Sequence, residues 1–136
     1  MKLVIDTNIL MAGLLKDSIV RKVLSSENIQ FFIPEYALNE IHKYKGELAK
    51  KSGMSGEEIN EITNLLLENI EIISKEKIKS KLKEAESIMK GIDLKDSVFI
   101  AAALTIKSDG IWSFDNDFKR QTKIRIYDVT ELVRMI

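Results

Sequence analysis

Five short apolar runs punctuate the chain: Leu3–Ile5, Phe31–Ile33, Gly110–Trp112, Ile124–Tyr127 and, more weakly, Ile70–Ile73. They carry few alternating polar residues, the pattern of strands buried on both faces. Between them the apolar positions fall at helical spacing. Ser55 and Glu58 make a capping box ahead of Ile59, Ile62, Leu65 and Leu66, which share one face. Ile78, Leu82, Ala85 and Met89 repeat along a Lys- and Glu-rich helix spanning residues 75–90, and Asp93 opens another helix containing Val98, Phe99, Ala101, Ala102 and Leu104. Gly53-Met54-Ser55-Gly56 reads as a turn between helices. Strands alternating with helices imply right-handed crossovers and a mostly parallel sheet covered on both sides, an α/β/α sandwich. The length of 136 residues suits one domain over positions 1–136. In such a sheet ligands bind beyond the carboxyl ends of the strands, where strand order reverses.

Composition narrows the chemistry. There is no Cys and one His (His42), which excludes disulfides, thiol nucleophiles and His-rich zinc sites, and leaves a Ser-His-Asp triad without support. His42 itself reads as a surface side chain, and Trp112 as core. The 21 basic residues balance 21 acids, so attraction to nucleic acid or membrane has to come from local patches. Asp6 arrives too early for the apolar region of a signal peptide, and no window reaches membrane-spanning length, so a cytoplasmic protein without membrane contact is expected.

What remains is carboxylate, and it falls where the fold rule points. Asp6 follows the first strand in Ile5-Asp6-Thr7-Asn8, and Asp115 and Asp117 follow another in Ser113-Phe114-Asp115-Asn116-Asp117. Glu40 lies about two turns into the helix after Pro34, and Asp93 and Asp96 stand three apart near a helix start. Each has a plainer reading. Asp6, Asp93 and Asp96 suit helix caps or first-turn acids, Asp115-Asn116-Asp117 suits an Asx turn, and Glu40 suits a solvated helix face. Taken together, carboxylates gathered without counter-charge repel one another and raise some of their own pKa values. A hard divalent cation relieves that repulsion, and one or two Mg²⁺ or Mn²⁺ ions on such a cluster suit phosphodiester hydrolysis by activated water. No glycine-rich phosphate loop or dinucleotide fingerprint is present, and Asp115-x-Asp117 does not continue as a calcium loop.

In order and spacing these segments resemble the PIN-domain ribonucleases, which include the VapC toxins of toxin–antitoxin pairs. The resemblance rests on Asp6-Thr7-Asn8, on Pro34 followed by Glu40, on Asp96-Ser97-Val98-Phe99-Ile100-Ala101-Ala102-Ala103, and on Ser113-x-Asp115-x-Asp117-Phe118, and spans nearly the whole chain. It implies a parallel five-stranded sheet of order 3-2-1-4-5. It implies metal-binding catalytic acids at Asp6, Glu40, Asp96 and Asp115, with Asp93 and Asp117 as additional metal-binding acids. Thr7, Asn8 and Ser113 match supporting polar positions; Ser113 stands where many members carry Thr. The activity implied is endonucleolytic cleavage of RNA, and the partners implied are an RNA substrate and, for a toxin, a cognate antitoxin protein.

RNA entering an acidic site requires positive charge at its rim. Lys43, Lys45, Lys50 and Lys51 after Glu40, and Lys119, Arg120 and Lys123 after Asp117, are the candidates; a solvated helix face is the competing reading for the first group. Met11, Leu14 and Leu15 are open between a homodimer surface and the monomer core. Two other functions stay in view: a non-catalytic RNA- or protein-binding module, and an aspartyl-phosphate phosphotransferase using Asp6, for which Asn8 stands where a second Asp is wanted. With the six acids assigned to one pocket, the remaining 15 face 21 bases, a surplus of six positive charges outside the site.

Overall fold

The computed structural model describes residues 1–136. All five expected strands form, and they build one parallel sheet of order β3-β2-β1-β4-β5 from β1 (Lys2–Ile5), β2 (Gln30–Pro34), β3 (Ile70–Ile73), β4 (Gly110–Trp112) and β5 (Ile126–Tyr127). The expected sandwich and strand order are therefore observed, and the sheet is wholly parallel. Helices α1 (Thr7–Leu14) and α2 (Ser18–Leu24) link β1 to β2, and α3 (Glu35–Lys43), α4 (Lys45–Ser52) and α5 (Gly56–Leu67) link β2 to β3. Helices α6 (Lys75–Ile78), α7 (Leu82–Met89) and α8 (Ser97–Ile106) lead to β4, and α9 (Val129–Met135) closes the chain. No helix is long and apolar enough to cross a membrane.

Burial follows the apolar pattern. Leu3, Val4 and Ile5 of the central strand are fully buried, as are Ile111 and Trp112 beside them, and Trp112 packs a tilted ring against Phe31 at 5.9 Å between centroids. Helix α8 lies across β1, β2 and β4, with α6 and α7 packed against it. Its Ala101, Ala102 and Ala103 are all buried, and their small side chains let the helix come close to its neighbours. Gly110 is obligatory at the start of β4: a Cβ there would collide with the Arg125 carbonyl and lie 2.8 Å from the Tyr127 ring.

The structure corrects several local readings. β5 starts two residues later than the apolar run, because the Gln121 side chain clamps the preceding loop; its amide donates to the Ile124 carbonyl and accepts from the Ile124 N–H. The helix expected over residues 75–90 is broken into α6, a 3₁₀ turn (Lys79–Lys81) and α7. Asp93 opens a 3₁₀ turn (Leu94–Asp96) before α8 rather than α8 itself. The capping box at Ser55 and Glu58 forms, with Gly53 left-handed at the end of α4, but Leu65 is 61% exposed while Ile59 is buried. Leu14 belongs to the core, Met11 is half-buried and Leu15 is exposed.

Candidate functional site

The order 3-2-1-4-5 puts the switch in strand sequence between β1 and β4, and the crevice beyond their carboxyl ends is where the acids meet. β1 delivers Asp6 directly. Its backbone is extended (φ −91°, ψ 175°), and Oδ1 accepts from the Ile9 N–H at 3.0 Å, so Asp6 is also the N-cap of α1. Its Oδ2 accepts a short hydrogen bond from the Ser113 hydroxyl, just past β4. The same hydroxyl accepts from the Asp115 N–H at 2.9 Å, and Asp115 in turn caps a 3₁₀ turn by accepting from the Asp117 N–H. Ser113 thereby ties the two strand ends together. Helix α3 brings Glu40 across from β2, held by the Thr7 hydroxyl, which donates to its Oε1 at 2.5 Å. The turn before α8 supplies Asp96.

Asp6, Glu40, Asp96 and Asp115 line one cavity of about 150 Å³ together with Thr7, Asn8, Met11, Tyr44 and Phe99. No Lys or Arg lines it. The electrostatic consequence is visible in two of the acids. Asp6, only 4% exposed, has its pKa pushed up to about 6, chiefly by burial and further by the Asp115 charge, against the opposing hydrogen bonds from Ser113 and Ile9. Asp96 is half-buried and is pushed up to about 7 by desolvation, then by Asp93, Asp115, Asp6 and Asp117. Both acids hold protons that a lone surface Asp would have lost near pH 4. Such raised values mark charge gathered without compensation.

The donor set fits a hard divalent cation: all oxygen, no cationic side chain in the lining, and mutual repulsion that a cation would relieve. No three acidic groups already converge on a single point as a preformed metal cage. Mg²⁺ does not demand one, since it commonly takes one or two carboxylates and keeps several waters.

Two expected ligands stand aside. Asp93 does not line the cavity; its Oδ1 accepts from the Lys95 N–H at 2.9 Å, and it acts on Asp96 through its charge. Asp117 also lies outside the lining, with one oxygen 3.9 Å from Arg120. Of the expected rim residues, Lys43 borders a groove that shares Glu40 with the acid cavity. Lys45 instead lays its stem along Gly56. Arg120 turns to Asp117 and the Gly91 carbonyl, and Lys119 and Lys123 line a shallow groove with Arg125 that shares no residue with the acid cavity. His42 is exposed and Trp112 buried, as expected. Tyr44 and Lys95 went unrecognised. The signal for Tyr44 was available, because Tyr36, Glu40 and Tyr44 are four apart and fall on one face of a helix.

The sequence matches the family model of the PIN domain over residues 4–127. No curated protein matches the chain. Among solved structures, a chain of VapBC2 from Rickettsia felis, bound to a DNA fragment from its promoter, superposes with a TM-score of 0.75 at 18% identity, covering 94% of this chain and 98% of that one. A chain of a toxin–antitoxin complex from Klebsiella pneumoniae superposes with a TM-score of 0.63, also at 18% identity, over 85% of this chain and 89% of its own.

Proposed function

Because the chain belongs to the PIN-domain family, we propose that it is a nuclease of the endoribonuclease type, hydrolysing RNA phosphodiester bonds with one or two Mg²⁺ or Mn²⁺ ions. The observation that carries this reading is the cavity at the sheet's switch point, lined by four carboxylates and no cation. Asp6, Glu40, Asp96 and Asp115 would hold the metal, which when bound supplies an activated water and charge stabilisation at the scissile phosphate. The chain's own residues supply the rest. Thr7 orients Glu40, and Ser113 fixes Asp6 while holding the Asp115 backbone. Asn8 faces the same cavity as a polar group for water or phosphate. Asp93 and Asp117 add negative charge from outside the lining and raise the proton affinity of Asp96. The fold shared with chains of two toxin–antitoxin complexes supports a toxin role, with an antitoxin protein as partner.

Purified protein incubated with a structured RNA should cut it in the presence of Mn²⁺ or Mg²⁺ and stop on chelation with EDTA. Asp96→Ala should lose cleavage by more than the roughly 10–100-fold that follows loss of an outer-shell partner, with an unchanged far-UV circular dichroism spectrum. Full activity in Asp96→Ala, or cleavage insensitive to EDTA, would sink the reading.

A further inference from the structure

Tyr44 is a wall shared by three cavities: the acid cavity, an apolar cleft with Met11, Leu15 and Leu48, and a groove of about 350 Å³ lined by Tyr36, Asn39, Glu40, Lys43 and Lys95. That volume is at the lower end of the ~300–1,000 Å³ of small-ligand clefts. The groove's chemistry is unlike that of the acid cavity it adjoins. Its one carboxylate, Glu40, is already engaged by the Thr7 hydroxyl. Lys43 and Lys95 are both exposed, and neither takes part in the chain's ion pairs, which are Lys81–Glu84, Arg120–Asp117 and Arg125–Glu131. The Lys43 ammonium stands 5.6 Å from the centroid of the Tyr44 ring, so cation and aromatic face already share one place. Tyr36 is held edge-on to Phe99 at 6.3 Å, which makes that side of the groove rigid. Asn39, exposed on α3, offers both a hydrogen-bond donor and an acceptor.

Unpaired ammonium groups, an exposed aromatic ring and an amide next to an acid site are the parts that hold one nucleotide: phosphate on the lysines, base on the ring, base edge on the amide. We infer that this groove is the subsite for the nucleotide adjoining the scissile phosphate, with Tyr44 as the stacking platform and Lys43 and Lys95 as the phosphate contacts. The inference rests on the endoribonuclease reading, because it assigns the groove to part of that reaction's RNA substrate. It also divides the basic residues into two classes. Lys43 and Lys95 act at the site, whereas Lys119 and Lys123 line a groove that shares no residue with it.

The test uses the full chain in Mg²⁺ with uridine and adenosine 5′-monophosphates, which contain no phosphodiester bond to cut, followed by amide NMR shifts. Titration should move the signals of Asn39, Lys43, Tyr44 and Lys95. Tyr44→Ala should weaken binding by about five-fold or more, as expected for one lost stacking contact, and Lys43→Ala with Lys95→Ala should weaken it further. Tyr44→Phe, which keeps the ring, should stay within about two-fold of wild type. Shifts confined to the Lys119–Arg125 groove, or equal affinity in Tyr44→Ala, would overturn the subsite. The same variants are then assayed for cleavage. A raised KM in Tyr44→Ala, with kcat largely kept, supports the subsite. An unchanged KM and cleavage pattern in a protein whose Asp96→Ala form is inactive overturns the subsite and leaves the nuclease reading standing. Nucleotide binding at Tyr44 by a protein that cuts no RNA would overturn the nuclease reading instead.

Discussion

Asp6 and Asp128 occupy the same local position in two parts of the sheet. Each follows a parallel strand, each has an extended backbone (φ −91°, ψ 175° and φ −100°, ψ 169°), and each caps the helix that comes next. Their surroundings diverge completely. Asp128 follows the edge strand β5, and its cap is reciprocal: it accepts from the Glu131 N–H at 2.8 Å, while Glu131 accepts from the Asp128 N–H and pairs with Arg125 at 3.0 Å. Asp6 follows the central strand β1, is 4% exposed, and faces Asp115 and Asp96 with no cation among the cavity's lining residues. At Asp128, the second acid of the cap, Glu131, is paired with Arg125. At the other end of the comparison, Asp6 lines a cavity with three other carboxylates and no cation, its second oxygen held by the Ser113 hydroxyl. Local sequence makes a cap; position in the strand order decides whether the cap can also be chemistry.

Replacing each acid by its amide gives the largest separation between them. Asn retains an oxygen to accept from the Ile9 or Glu131 N–H, so both folds should persist. Asp6→Asn removes a charge from the proposed metal site and should cost RNA cleavage about a hundred-fold or more, beyond the usual effect of an outer-shell partner. Asp128→Asn should stay within about two-fold of wild type. Single-turnover cleavage rates at saturating Mn²⁺ measure both; comparable losses in the two variants would erase the distinction.

A pH series sharpens it next. The folded chain holds Asp6 at about pKa 6 and Asp96 at about 7, both raised from 3.8, so it binds these protons more tightly than the unfolded chain does. Between roughly pH 4 and 7 the folded state carries the extra protons, and the contribution of these groups to stability falls as pH rises. Melting in EDTA should therefore show a loss of a few degrees from pH 5 to pH 8 that is present in wild type and in Asp128→Asn. The double variant Asp6→Asn with Asp96→Asn should lack that part of the slope. Cleavage should run the opposite way, declining as pH falls through about 7 to 6, since metal needs the ionised carboxylates. An identical slope in wild type and the double variant would mean that the cavity's acids are not strained.

What the sequence makes legible follows the same division between local and global. The strand at Gly110–Trp112 and the box at Ser55 and Glu58 are set by neighbours in sequence, and both form where the pattern puts them. The four acids of the cavity were legible because strand ends in a parallel sheet share an edge. Asp93 and Asp117 are held or paired within their own turns and stand outside the cavity lining, where spacing alone does not separate them from their neighbours Asp96 and Asp115. Ile124 drops out of β5 through one side chain, Gln121, whose four hydrogen bonds outweigh two more residues of apolar strand. Leu65 stands six residues after Ile59, about 120° round the helix, so Ile59 is buried while Leu65 is 61% exposed. Tyr44 is legible only as the third member of the Tyr36, Glu40, Tyr44 spacing, and it stands where α3 ends, on the cavity wall.

The smallest effect is also the one whose sign carries the comparison. Asp128→Ala removes the acceptor for the Glu131 N–H at the start of α9, whose Leu132 is fully buried, and should destabilise the protein by about 1 kcal/mol. Asp6→Ala removes an equivalent acceptor from the Ile9 N–H, and by the cap alone it should cost the same. It also removes a buried charge that faces other carboxylates, which is a gain whenever that charge is ionised and no metal compensates it. In EDTA at pH 8 this gain opposes the lost cap and the lost Ser113 contact, so Asp6→Ala should be clearly less destabilising at pH 8 than at pH 5, whereas Asp128→Ala should cost about the same at both. At pH 5, where Asp6 is largely protonated, the gain disappears, and Asp6→Ala should cost at least as much as Asp128→Ala because it also takes the acceptor from the Ser113 hydroxyl. Urea unfolding at the two pH values measures all four differences. A protein in which Asp6→Ala costs the same at pH 8 as at pH 5 would contain two ordinary caps and no strained acid site.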